Sequence, residues 1–168
     1  MANKKRIIYW DTCIFLAWIF NEPNEPAIVD GIEEIVKQVD ANKISLITSV
    51  VTRTEVLEGK MDDIAKRRFE DLFKRRNVVM ISLDHRISDL SHDIRNYYDI
   101  KDIKLSTPDC QHIATAILYE ANEFHTLDGS GKKKRGKILP LNGNVMGKHP
   151  LKICVPYSDQ PNLFTGIK

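Results

Sequence analysis

Short runs of β-branched and aromatic residues recur along this chain, each followed by a segment whose apolar residues return at helical spacing. That alternation restricts the fold more than any other feature. RIIYW (6–10), KISLITS (43–49), VVMISL (78–83), EFHTL (123–127) and KICVP (152–156) read as strands. Between them, Ile28, Ile32, Ile35, Val36 and Val39 mark one helical face over 26–39. Cys110, Ile113, Ala114, Ile117, Leu118 and Ala121 mark another, reaching about Ala121. CIFLAWIF begins a further helix after the first strand. Ser49 is placed to cap a helix running to Leu57 that Gly59 ends, and Asp84 to cap one reaching toward Tyr98. MDDIAKRRFEDLFKRR (61–76) is a charged amphipathic helix, and Thr107 precedes Pro108, a favourable first helical residue. Strands alternating with helices predict a three-layer α/β/α fold around a central, mostly parallel sheet of about five strands.

The 168 residues read as a single domain over 1–168. Its core spans about 6–131, with 129–150 a long basic loop and 151–168 a final strand and tail. Apolar content of 42% with 29% charged residues is that of a globular chain, and a net charge of +2 does not by itself call for nucleic acid. Cys13, Cys110 and Cys154 lie in apolar segments without CxxC spacing. They are therefore expected to be buried thiols of a reducing cytosol, not a disulfide framework or a zinc site. Lys4-Lys5-Arg6 ahead of an apolar run resembles a secretory signal, but Asp11 interrupts the run and the polar NEPNEP follows it. No segment is apolar enough to span a membrane, and the expected location is cytoplasmic.

The interruption at Asp11 raises the functional question, because a carboxylate inside an apolar run is expensive to desolvate. Asp11 directly follows the first strand and Asp128 the fourth, while Glu55 and Asp109 lie in helices that begin at the same edge of the sheet. In open parallel sheets, functional groups gather beyond the carboxyl ends of the strands. Each acid taken singly has an ordinary explanation. Asp11 suits a helix cap, Asp128 the DGSG turn, Asp109 the positive end of a helix, and Glu55 a solvated face. Together they would repel one another without a cation, and hard oxygen ligands suit Mg²⁺ or Mn²⁺. The usual chemistry of such a site is phosphodiester hydrolysis.

Four segments then resemble the PIN-domain nucleases, including VapC-type toxins of toxin–antitoxin pairs. They are IIYWDTCIFLAW (7–18), TSVVTRTEVLEG (48–59), STPDCQHIATAI (106–117) and FHTLDGSG (124–131), in the family's order. The resemblance implies an endoribonuclease with catalytic, metal-binding acids Asp11, Glu55, Asp109 and Asp128. Asp11 and Asp109 would be the principal ligands, and the other two would complete the site directly or through water. Thr12 and Thr126 would orient the carboxylates by hydrogen bonds. Cys13 stands where Asn is common, and Cys-Gln-His follows Asp109 where small and apolar residues are usual. The helical region 24–76 is where related toxins meet an antitoxin or a second copy, so an antitoxin partner and a homodimer are both implied.

The dense basic run GKKKRGK (131–137) begins three residues after Asp128. Lys132, Lys133, Lys134 and Arg135 would attract a phosphate backbone, although a solvated loop explains them equally well. His112, three residues after Asp109, is read as a packed or hydrogen-bonded histidine. A phospho-receiver would need an acidic pair after the first strand and a Lys after the fifth, where this chain has Asp11 alone and Pro156. A PIN-like module that binds RNA or protein without cutting is the remaining alternative.

Overall fold

The computed structural model describes residues 5–20, 22, 24–57, 61–130 and 137–158. The strands are β1 (Arg6–Trp10), β2 (Ile44–Ser49), β3 (Val78–Ile81), β4 (Glu123–His125) and β5 (Lys152–Cys154). They form one sheet in the order β3-β2-β1-β4-β5, with every neighbouring pair parallel. The helices are α1 (Thr12–Ile19), α2 (Pro26–Asp40), α3 (Val50–Leu57), α4 (Asp63–Leu72), α5 (His85–Asp99) and α6 (Thr107–Leu118), and a 3₁₀ turn covers Leu139–Leu141.

Alternation along the strands divides the core into two layers. Ile8 and Trp10 of β1 face a layer with Ile14, Phe15 and Trp18 of α1, Ile28, Ile32 and Ile35 of α2, and Phe69 and Leu72 of α4. Tyr9 faces the opposite layer, with Phe124, Ile153, Ile87 and Ile94 of α5, and Cys110 and Ile113 of α6. Both faces of the sheet are thus covered, the arrangement parallel strands require. Among the described residues, no helix is long and apolar enough to cross a membrane.

The connections fix where the chain can carry chemistry. From β1 the chain moves outward through β2 to β3, then returns to the other side of β1 for β4 and β5. The order therefore reverses between β1 and β4, and the crevice beyond their carboxyl ends is the expected ligand site of an open parallel sheet.

Helix ends are set by specific caps. Asp11 accepts from Thr12 N–H at the head of α1, Asp62 from Ala65 N–H ahead of α4, and Asp84 from Ile87 N–H ahead of α5. The charged segment 61–76 is helical only over Asp63–Leu72: Asp62 takes the capping position at its start, and at its end Phe73 N–H turns to Glu70 O at 3.1 Å. The helix expected from Pro108 starts one residue earlier, at Thr107, because Ser106 accepts from Asp109 N–H and Asp109 answers with a bond from Ser106 N–H. That helix stops at Leu118 instead of about Ala121, and Glu120 beyond it adopts φ 53°. Strands β3 and β4 end at Ile81 and His125, two residues short of the apolar runs that announced them. Gly59, Lys132, Lys133, Lys134, Arg135 and the tail from 159 lie outside the described residues.

Candidate functional site

Asp11 leaves β1 as its backbone N–H donates to His125 O, 3.0 Å away on β4, and its side chain lies at the sheet's switch point with 7% exposure. Such a carboxylate needs donors, and this one has them. Thr12 N–H donates to Oδ1 at 2.7 Å and the Thr126 hydroxyl to Oδ2 at 2.7 Å, with Cys13 Sγ 3.4 Å from Oδ2. Thr126 is fully buried, and the same hydroxyl oxygen accepts from Asp128 N–H at 3.0 Å. Cys13 also binds the β4 end, its Sγ accepting from Leu127 N–H at 3.1 Å.

Glu55 reaches the same crevice from α3. The Thr12 hydroxyl donates to its Oε2, and His112 Nε2 lies 3.0 Å from that atom. A carboxylate only accepts, so Nε2 carries the hydrogen. His112 is fully buried, with Nδ1 2.6 Å from Tyr9 Oη, and Tyr9 Oη in turn accepts from Ser49 N–H at 3.0 Å. A continuous buried relay therefore runs from the end of β2, through β1 and α6, to Glu55. His112 Nε2 also stands 3.8 Å from Asp11 Oδ1.

Asp109 is half-buried in the first turn of α6, one oxygen held by Ser106 N–H at 2.9 Å. Asp128 follows β4, and its Oδ2 accepts from Lys137 N–H at 3.0 Å and Ile138 N–H at 3.2 Å. This carboxylate thus ties together the two ends of the basic segment.

The electrostatics follow from burial and these partners. Burial pushes the Asp109 carboxyl up, the Ser106 bonds oppose it, and the nearby charges of Asp11 and Asp128 help leave it above its ordinary value. Burial also pushes Glu55 up, but the hydrogen bonds from His112 and Thr12 outweigh it and hold the carboxyl low. Burial pulls His112 down, yet the bond to Glu55 and the charges of Asp11, Glu55 and Asp109 carry it above its ordinary value. Among the described residues, no Lys or Arg forms an ion pair with any of the four acids; His112 is the one basic side chain that meets them, at Glu55 and Asp11.

The fold brings all four acids to one end of the sheet, but no three of them place oxygens within 4.8 Å of one another. Sequence reasoning named these acids and the two threonines and read His112 as a packed, hydrogen-bonded residue. It did not foresee the tie from His112 to Glu55 or the dual role of Cys13. Spacing held the one available signal, since His112 lies one helical turn beyond Asp109.

Residues 8–136 match the PIN domain family model. The chain belongs to the PIN domain family. Members of that family are nucleases, which generally use a divalent metal. The PIN fold here resembles VapBC2 from Rickettsia felis bound to a DNA fragment from its promoter, with TM-score 0.58, 16% identity, and 71% of this chain and 86% of that chain covered. DNA-bound VapBC from Salmonella typhimurium gives TM-score 0.58 at 14% identity, with 88% and 96% covered. A toxin–antitoxin complex from Klebsiella pneumoniae gives 0.50 at 20%, with 73% and 88% covered. No curated protein sequence matches significantly.

Proposed function

We propose that this PIN domain is a Mg²⁺- or Mn²⁺-dependent endoribonuclease that hydrolyses RNA phosphodiester bonds at the crevice between β1 and β4. The observation that carries the reading is an acidic rim lacking a Lys or Arg counterion among the described residues, in which burial first, and then the charges of Asp11 and Asp128, raise Asp109. Such a donor set fits a hard divalent cation. Asp11 and Asp109 would hold it, with Glu55 and Asp128 completing the site. The ion would supply an activated water, orient the phosphate and stabilise charge on the departing oxygen.

The chain's own residues supply orientation. Thr126 and Thr12 N–H fix the plane of the Asp11 carboxylate; Oδ2 also meets Cys13 Sγ, while Oδ1 keeps a further lone pair. His112 and Thr12 hold Glu55 toward the same space, and the Ser106 cap holds Asp109. Asp128 ties down the residues following Lys132–Arg135, so these four cations would enter the field of the site and steer a phosphate backbone toward it.

The neighbours described as VapBC and as a toxin–antitoxin complex support a toxin role with an antitoxin partner. Within the 24–76 region, Val29 on α2 and Ile64 on α4 are exposed apolar side chains, 42% and 78% accessible, that such a partner or a second copy would cover. One observation favours the silent binding module instead: Glu55 and Asp128 already accept hydrogen bonds within the chain, and the acids stand apart. Incubating the purified chain with a mixed RNA pool in Mg²⁺, Mn²⁺ or EDTA separates the two. Metal-dependent fragments without 2′,3′-cyclic phosphate ends support water attack. Binding without cutting by folded, metal-loaded protein across varied RNAs supports the module.

A further inference from the structure

We propose that Glu123, His125 and Cys154 form a second metal site, chemically distinct from the acidic rim and suited to Zn²⁺. Glu123 and His125 are two residues apart on β4 and so project to one face, and His125 is in register with Cys154 on β5. One ligand atom from each of the three lies within 4.8 Å of the others. His125 Nε2 is 2.9 Å from Glu123 Oε2, and Cys154 Sγ is 4.0 Å from that same oxygen. Tetrahedral Zn²⁺ with bonds of about 2.0–2.3 Å spaces its ligands roughly 3.3–3.8 Å apart, a range these two separations bracket. Shifts of about half an ångström would bring these two separations into that range, and the third lies within 4.8 Å.

The donor set selects the metal. A thiolate with an imidazole and one carboxylate favours Zn²⁺ over Mg²⁺, which prefers oxygen alone. Three protein ligands leave a fourth position, and all three residues line a cavity of about 550 Å³ between the sheet and α2. His125 is 2% exposed, and its Nδ1 has no hydrogen-bond partner among the described residues. Burial holds His125 below its ordinary range, so the ring is neutral; without an ion Nε2–H donates to Glu123 and helps keep it ionised, and coordination at Nε2 moves that hydrogen to the unpartnered Nδ1. Burial and the Glu123 charge keep the Cys154 thiol protonated without an ion, so binding releases that proton to solvent as the sulfur–metal bond forms.

Arg6 and Lys152 compete, pairing with Glu123 at 3.3 and 2.9 Å. Their side chains are 45% and 61% exposed while Glu123 is 15% exposed, so the cations can swing into solvent and an ion entering the site must displace both pairs. The ligands also adjoin the acidic rim through the backbone. His125 O accepts from Asp11 N–H at 3.0 Å and Cys154 O from Thr126 N–H at 3.1 Å, so an ion here braces the strand ends that present Asp11 and Thr126.

Cobalt titration of the metal-stripped, folded full chain tests the site. The expected result is one equivalent of tetrahedral Co²⁺ with a sulfur-to-cobalt charge-transfer band, displaced by Zn²⁺. Cys154→Ser should abolish the band, and His125→Gln should weaken Zn²⁺ binding about tenfold or more. Cys110→Ser and Asp109→Asn should retain it. A folded wild type that gives no charge-transfer band overturns the proposal, as does a band that survives Cys154→Ser or vanishes with Cys13→Ala instead.

Discussion

Thr126→Val isolates the polar contribution of one buried hydroxyl, because valine nearly matches threonine in shape and opens no cavity. That hydroxyl donates to Asp11 Oδ2 at 2.7 Å and accepts from Asp128 N–H at 3.0 Å, at a position with no exposure. Losing a hydrogen bond to a charged acceptor costs about 1.5–3 kcal/mol, and a buried amide left without a partner about 1–3 kcal/mol. The two losses share one atom and are not additive, so about 3 kcal/mol is expected in total. With a urea slope of about 1–3 kcal/mol/M, the unfolding midpoint should fall by roughly 1–3 M. Equilibrium urea unfolding at neutral pH without added metal measures this. Thr126→Ser keeps the hydroxyl and should lose only about 1 kcal/mol, from the missing methyl group. If the valine variant unfolds within about 0.5 kcal/mol of wild type, the hydroxyl does not hold Asp11, and the account of how that carboxylate is positioned fails.

Further outcomes concern the caps, the ion pairs and one close approach. Ser106→Ala removes the α6 cap and should cost about 1 kcal/mol in the same unfolding assay, while weakening divalent binding at Asp109. Glu123, ordinarily near 4.5, is held at about 2 by His125 first, against burial, and then by Lys152 and Arg6. A depressed carboxyl stabilises above its unfolded value, so about 3 kcal/mol should be present above pH 4.5 and lost as pH falls toward 2, and Glu123→Gln should flatten that acid limb. His112 is raised instead, so its contribution is full below its ordinary value of 6.5 and is lost as pH rises through the folded value. An NMR titration should place the His112 midpoint above 6.5 and that of His125 below it. At Gly31 an added Cβ would lie 1.8 Å from Pro156 O, so Gly31→Ala should force α2 from the 155–158 segment, lowering stability by about 1–3 kcal/mol in urea unfolding.

Much of this architecture was legible because local and global preferences agree. RIIYW is a strand in all five residues, and Asp84 caps the helix it precedes. Strand order was not legible, since nothing in β4 or β5 states that both lie on the far side of β1. The start of α6 was misplaced by one residue because both Ser106 and Thr107 can cap, and only the reciprocal bond with Asp109 decides between them. Asp11 stood out as a charge ending an apolar strand. His112 did not, because its importance depends on Tyr9 and Glu55, which are distant in sequence and meet it only after the layers pack. The Glu123–His125–Cys154 group was hidden for the same reason. Its ligands come from two strands separated by an excursion of 26 residues (126–151), so neither a CxxC nor a helical pair announces them.

The most direct test of the central claim is RNA cleavage by wild type, Asp11→Asn and Asp109→Asn, measured against Mg²⁺ or Mn²⁺ concentration with equal folding verified for all three. The account predicts saturable, EDTA-sensitive cutting by wild type that both substitutions abolish. Cutting of equal rate and equal metal dependence in wild type and both variants would contradict it, and would remove the acidic rim between β1 and β4 from the chemistry.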